Sequence, residues 1–255
     1  MLGYQHAAAV IAFGALPILL DIDMTALKCN REKLKNEFGV EVSILEVDVT
    51  KHDSVMASKN KVVLQHKRID VLINNAARNP KVEKSSAINF SRLENFPMEQ
   101  WQMDIDVGLG GAFICSKVFG NHMANSRSGG VIINIASDLG VIAPDQRIYE
   151  QAGRSKGGQP VKPVTYSVVK HGLIGLTKYL STYWCEEGVR CNALSPGGVY
   201  DEQDINFVAK LSKLIPLGRM AKADEYRGAI VFLCSDASSY LNGANIVIDG
   251  GRSVW

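Results

Sequence analysis

The run Val131-Ile132-Ile133-Asn134-Ile135, closed by Ala136-Ser137-Asp138-Leu139-Gly140, decides how this chain is read. It is short, β-branched and apolar at successive positions, the pattern of a strand buried on both faces. Comparable runs lie at Pro17–Asp21, Val42–Val47 and Asp70–Asn74 before it, and at Val189–Leu194 and Asn245–Ile248 after it. Helical stretches separate them at Tyr4–Phe13, Thr25–Glu37, Ser54–Lys67, Glu99–Ala124, Tyr166–Glu187 and Ala223–Cys234. Strands alternating with helices predict right-handed crossovers and an α/β, doubly wound parallel sheet, Rossmann-like, with three αβα layers. The 255 residues suit a single domain of that class, and no repeat or linker divides them. One long irregular stretch, 143–165, rich in Gly, Pro, Lys and Arg, is read as an inserted loop near a binding site.

The front of the chain breaks the pattern. Met1-Leu2-Gly3 passes straight into a helical stretch, with no strand ahead of it. In a doubly wound sheet the first strand is central, and the turn after it carries the glycines that meet a dinucleotide's phosphates. Here only Gly3 can belong to that turn. A sheet lacking this strand leaves two buried edges unpaired, which predicts marginal folding and weak dinucleotide binding. The reading favours Met1 as an internal residue of a longer protein; a short product with poor cofactor affinity is the alternative.

Composition narrows the partners. A net charge of +2 gives no argument for nucleic acid or a membrane surface. Five scattered cysteines, with no Cys-x-x-Cys spacing, favour reduced thiols in the cytoplasm over disulfides or zinc. Five histidines show no ligand spacing, so no metal is expected. The early apolar run Ala7–Ala12 is too short to span a bilayer and lacks a basic flank.

Chemistry concentrates at Tyr166-Ser167-Val168-Val169-Lys170. Four residues apart on a helix, phenol and ammonium share a face. A phenol ionises near pH ~10, and a close cation favours the phenolate; the pair makes a general acid/base for a proton on a carbinol oxygen. The strand ends add ligand-facing groups, since ligands bind at the carboxyl ends of such strands. Asp21 is placed to accept from an adenosine ribose, and its charge repels a 2′-phosphate, favouring NAD(H) over NADP(H). Asp48-Val49-Thr50 is placed to meet an adenine edge, and the small residues in Asn74-Asn75-Ala76-Ala77 allow close approach of a cofactor. Ser195-Pro196-Gly197-Gly198-Val199 forms a turn suited to a nicotinamide. Each feature alone is a routine turn or cap; their order carries the argument.

Together these residues resemble the short-chain dehydrogenase/reductase family from Gly3 to Gly251, including Pro216-Leu217-Gly218-Arg219-Met220 and Asp249-Gly250-Gly251. The resemblance implies that Ser137 hydrogen-bonds the substrate oxygen and Tyr166 passes its proton. Lys170 is expected to lower the Tyr166 pKa and bind the nicotinamide ribose. A hydride then moves between substrate carbon and cofactor. The implied NAD(H) contacts are Gly3, Asp21, Asp48, Val49, Asn75, Ala76, Tyr166, Lys170, Pro196, Gly197 and Val199. A homo-oligomer, dimer or tetramer, is implied through the helices bearing Met123, Tyr183 and Trp184, although aromatics at this spacing also suit a core.

Two departures matter. In Asp106-Val107-Gly108-Leu109-Gly110, Gly108 stands where the family has an Asn that holds a helix kink and a proton-relaying water. Replacing Gly108 with Asn is expected to leave turnover within about tenfold. Of the family's Thr-Gly-x-x-x-Gly-x-Gly turn, only the last glycine, Gly3, is present. Ser137 and Tyr166 lie further apart than is usual, and the insert carries Arg147, Arg154, Lys156 and Lys162 against Asp145 and Glu150. Arg78, Lys81 and Lys84 follow the third strand candidate on the same edge; such cations suit a phosphate or carboxylate, or simply a solvated loop. Gly3-Tyr4-Gln5-His6-Ala7, Val107-Gly108-Leu109 and the insert are similar to a bacterial subgroup tied to flagellin-glycan or surface-polysaccharide biosynthesis, which implies a sugar or sugar-phosphate substrate. The competing classes are a catalytically silent Rossmann binding protein with an impaired cofactor site, and a sugar-nucleotide epimerase or dehydratase.

Overall fold

A computed structural model of the protein describes residues 1–78, 90–126 and 129–255. Helix α1 (Leu2–Ala12) leads into β1 (Ile18–Asp21), α2 (Met24–Phe38), β2 (Ser43–Glu46), α3 (His52–His66) and β3 (Val71–Asn74). Next come α4 (Met98–Ile105), α5 (Gly111–Cys115) and α6 (Asn121–Asn125), joined without a break by π-helical turns at Asp106–Gly110 and Ser116–Gly120. Strand β4 (Gly130–Ile135), α7 (Val164–Tyr183), β5 (Val189–Pro196), α8 (Ile205–Ser212), α9 (Arg227–Cys234) and β6 (Asn245–Ile248) complete the order.

Among the described residues the strand pairs are all parallel, but they form two pieces: β1 with β2, and β3-β4-β5-β6. Among the described residues no ladder joins β1 to β3. Helix α1 holds the pieces together from one side. Its Ala7, Ala8 and Ile11 pack with Leu19, Leu34 and Val42, while Ala9, Leu2 and Val10 pack with Val71, Ile73 and Ile133. Polar ties reinforce the layer: Tyr4 on α1 donates to Glu37 on α2, and Arg227 on α9 donates to Gln5 at 2.7 Å and pairs with Glu37 at 3.7 Å. The period of two sends alternate strand residues to opposite layers. Val131, Ile133 and Ile135 meet Ile230 and Leu233 of α9, whereas Ile132 meets Phe119, Met123 and Leu180.

Some expectations shift. Helix α8 was not anticipated; its signal is the Asp204 cap, which accepts from the Asn206 and Phe207 amides. Helix α7 ends at Tyr183 instead of Glu187, and α9 begins at Arg227 instead of Ala223. The helical stretch at Glu99–Ala124 has the expected span, but with two π-turns inside it. The loop 143–165 contains short turns at Gln146–Tyr149 and Lys156–Gly158. Met123 and Trp184 are core residues, while Tyr183 is exposed. His6 on α1 is buried with neither ring nitrogen hydrogen-bonded, and burial lowers its pKa to about 4, so it is neutral at pH 7. Among the described residues no helix is long and apolar enough to cross a membrane, and no group of His, Cys, Asp and Glu that could hold a metal ion is found.

Candidate active site

Parallel pairing brings the carboxyl ends of β1 through β5 to one edge, and the sequence-predicted residues follow those ends. Ser137 lies two residues beyond β4, on extended backbone, and its Oγ caps a tight turn by accepting from the Leu139 amide at 3.2 Å. Helix α7 then crosses this turn. Gly140 permits the contact, because a Cβ there would come within 2.8 Å of the Lys170 carbonyl oxygen. The crossing brings Ser137 within hydrogen-bonding reach of the Tyr166 phenol. Lys170 donates to the Ile135 carbonyl at 2.8 Å and stands 5.8 Å from the Tyr166 ring centroid. Ser137, Tyr166 and Lys170 are thus assembled.

Burial sets the electrostatics. It pushes the Tyr166 phenol above its ordinary value; the Ser137 hydrogen bond works the other way, and the Asp138 charge adds to the rise. The lowered Tyr166 pKa expected from Lys170 is therefore corrected: the ammonium is engaged with Ile135 and does not offset desolvation. Burial also lowers Lys170 to about 8, with the nearby Lys162 charge a second cause. Lys162 sits 3.7 Å over the Tyr166 ring and is itself lowered to about 8 by burial, against the opposing pull of Asp138.

Sequence reasoning missed two parts. Asp138 accepts from Ser137 Oγ and from the Leu139 amide, both at 2.8 Å, and its other oxygen pairs with Arg252 at 2.8 Å in a buried salt bridge. The adjacency of Asp138 to Ser137, and of Arg252 to Asp249-Gly250-Gly251, was the available hint. Asn74 points into the core, donating to Ser116 at 3.0 Å and Asn134 at 2.8 Å, while Asn134 donates to Thr177 at 2.8 Å. This buried ladder is structural and leaves Asn75 and Ala76 as the outward residues of that strand end.

On the nucleotide side, Asp21 is exposed at the end of β1, with its carboxylate accepting from the Asp23 amide at 3.0 Å. Asp48 accepts from Thr50 and pairs with Lys51 at 3.3 Å; the Thr50 hydrogen bond, ahead of Lys51, holds its carboxyl below the usual range. The Val49 side chain packs so closely that a Cβ on Gly111 would meet it at 2.7 Å. Gly3 lies beside Asn75, 3.2 Å from its ideal Cβ position to Asn75 Nδ2, and no side chain caps the first turn of α1. Gly197 donates to the Ile248 carbonyl at 2.8 Å after Pro196, and Val199 bridges to Ala221. These groups suit the adenosine and nicotinamide ends of a dinucleotide, and Gly3 with the first turn of α1 suits its phosphates.

Of the cations flagged in the sequence, Arg147 pairs with Asp145 at 2.6 Å, Arg154 donates to the Gly158 carbonyl at 3.5 Å, and Arg78 pairs with Asp104 at 3.5 Å. Lys81 and Lys84 lie outside the described residues. Gly108 falls in the first π-turn and is buried against α7, where a Cβ would come within 2.6 Å of Val169 Cγ1. An Asn here would require Val169 to shift, a packing cost that the expectation about turnover did not include.

Residues 2–253 match the family described as Enoyl-(Acyl carrier protein) reductase. The chain is 30% identical to D-threitol dehydrogenase of Mycolicibacterium smegmatis, over 99% of this chain and 89% of that protein. It is 32% identical to NADP-dependent mannitol dehydrogenase of Hypocrea jecorina, over 98% and 86% of the two lengths. A short-chain type dehydrogenase/reductase from Mycobacterium marinum has the same fold, with a TM-score of 0.84, 26% identity and coverage of 100% of this chain and 91% of that one.

Proposed function

Because the chain belongs to the short-chain dehydrogenase/reductase family, an oxidoreductase acting on CH–OH donors, we propose that Ser137, Tyr166 and Lys170 carry its interconversion of a secondary alcohol and a ketone. The supporting observation is the Ser137 hydroxyl in hydrogen-bonding reach of the Tyr166 phenol, with Lys170 one turn along the same buried helix face. Ser137 orients the substrate oxygen, Tyr166 takes or gives its proton, and Lys170 holds the nicotinamide ribose. The bound nicotinamide supplies or takes the hydride. Gly3, Asp21, Asp48, Val49, Asn75, Ala76, Pro196, Gly197 and Val199 would hold the rest of that cofactor. The exposed Asp21 carboxylate favours NAD(H) over NADP(H).

A sugar- or polyol-like substrate is supported by the names of the relatives and by Lys162 at the catalytic ring. A place in flagellin-glycan or surface-polysaccharide biosynthesis is the narrower form of this proposal, carried by the sequence likeness alone. We read the chain as one cytoplasmic domain with the 143–165 insert at its site mouth. It assembles as a homo-oligomer, dimer or tetramer, a reading supported by Phe113, Tyr179 and Tyr183, which are 52%, 61% and 58% exposed along one groove. The test is oxidation of D-threitol, D-mannitol and sugar phosphates with NAD⁺ or NADP⁺, with apolar secondary alcohols as controls. Turnover confined to the apolar alcohols rejects the sugar reading. Asp21→Ser should shift the NAD⁺/NADP⁺ preference towards NADP⁺ by roughly tenfold, about 1.4 kcal/mol; an unchanged ratio rejects the role of Asp21.

A further inference from the structure

A cavity lies among Asp104, Gly108, Thr165, Tyr166 and Lys170, with the exposed Ala77 and Arg78 at its rim. The space open to the centre of a water-sized sphere is about 10 Å³, room on the scale of a single water. Asp104 brings a carboxylate whose side chain is only 6% exposed. Both of its oxygens are engaged: Gln100 Nε2 donates to Oδ1 at 2.5 Å, Thr165 Oγ1 donates to Oδ2 at 2.6 Å, and Arg78 Nε stands 3.5 Å from Oδ1. Thr165 directly precedes Tyr166, so this carboxylate is linked to the residue beside the acid/base. Burying a charge is costly, and a neutral side chain would serve a purely structural contact at less expense. Gly108 contributes no side chain to the cavity, so the polar side chains able to hold a water there are those of Arg78, Asp104, Thr165, Tyr166 and Lys170.

We propose that Asp104 is a proton-relay residue, coupling the Tyr166 phenol to solvent through a water in this cavity. The inference rests on Tyr166 being the acid/base. During alcohol oxidation the carbinol O–H bond breaks and its proton goes to the Tyr166 oxygen as the hydride leaves carbon. Tyr166 passes one proton to the cavity water, that water passes one to the Asp104 carboxylate, and the Asp104 carboxyl releases one to solvent past Arg78. Each carrier gains and loses a single proton, and no electrons move in the relay. Ketone reduction runs it backwards. Asp104 acts through the water and is a positioning and relay residue, not one that touches substrate. The titratable or charged groups facing it are Arg78 after β3 and Tyr166 and Lys170 on α7, with Lys162 beyond the Tyr166 ring.

Asp104→Asn keeps the size and can still accept from Thr165. Its kcat on the polyol panel should fall about 10- to 100-fold with KM within about twofold, and the rate should become dependent on buffer concentration. Formate should restore turnover to Asp104→Ala. An undiminished kcat overturns the relay, and so does a loss that neither buffer nor formate relieves. A readout independent of substrate is pH-difference infrared spectroscopy of the whole protein. A carboxyl band absent from Asp104→Asn should move in Tyr166→Phe; a band indifferent to Tyr166→Phe overturns the coupling. Full turnover by Tyr166→Phe would instead sink the acid/base reading itself, so the two failures are distinguishable.

Discussion

The two pieces of the sheet are built to different standards. In β4 every residue after Gly130 is buried, and β5 is buried along nearly its whole length, each strand being paired on both edges. In β1 and β2 no residue is fully buried, and both strands end exposed. The four-stranded piece carries Ser137 and packs against the helix of Tyr166 and Lys170; the two-stranded piece carries Asp21 and leads to Asp48. Geometry for the proposed proton transfer thus rests on a doubly paired core. Geometry for the proposed adenosine contacts depends on α1, α2 and a few surface pairs. Distances at a reacting centre tolerate less error than those at a remote binding group, and the packing follows that ranking.

The largest test of this contrast lies in the well-built half. Tyr166→Phe should reduce kcat by about 10²- to 10⁴-fold while leaving the melting temperature near that of the parent; a smaller loss in steady-state assays would remove Tyr166 from the chemistry.

The next concerns α1, the bridge between the pieces. His6 has a folded pKa of about 4 against 6.5 when unfolded, so the unfolded chain binds more protons between those values. The native state loses stability as pH falls through that window, by up to about 3 kcal/mol at pH 4. Urea titrations at pH 7 and pH 4.5 should show this, and His6→Leu should reduce the difference; equal acid sensitivity in the variant would clear His6.

Gly108→Asn should cost about 1–3 kcal/mol through overpacking against Val169. Adding Val169→Ala should recover much of it, and a double variant no more stable than the single one would break the steric account.

The smallest effect belongs to the ties across the gap. Arg227→Ala removes its contacts to Gln5 and Glu37 and should cost at most about 1 kcal/mol. Hydrogen exchange should speed up in β1 and β2 and not in β4 and β5; uniform acceleration would mean that the two pieces open as a unit.

The strands were legible because their β-branched runs are local and uninterrupted, as Val131–Ile135 illustrates. The first helix was legible too, as the apolar run that precedes the first strand. What could not be read depends on long-range approach. Asp138 and Arg252 are far apart in the chain, and nothing local marks them as partners. The steric lock between Gly108 and Val169 needs the crossing of two helices, so a glycine read as a missing side chain is in fact the complement of a bulky neighbour. The direction of the Tyr166 shift failed for a related reason. Helical spacing put a cation near the phenol, but only the packed structure reveals how much water the site excludes and that the ammonium is engaged with Ile135.

The buried pair of Asp138 and Arg252 ties the turn bearing Ser137 to the last described stretch, where the Trp255 indole also donates to the Leu214 carbonyl at 3.1 Å. Loss of the Arg252 guanidinium by substitution would strand the Asp138 anion next to the Ser137 hydroxyl. A change confined to residue 252 would therefore be felt at a turn more than a hundred residues earlier in the chain, while the secondary structure stays as it is.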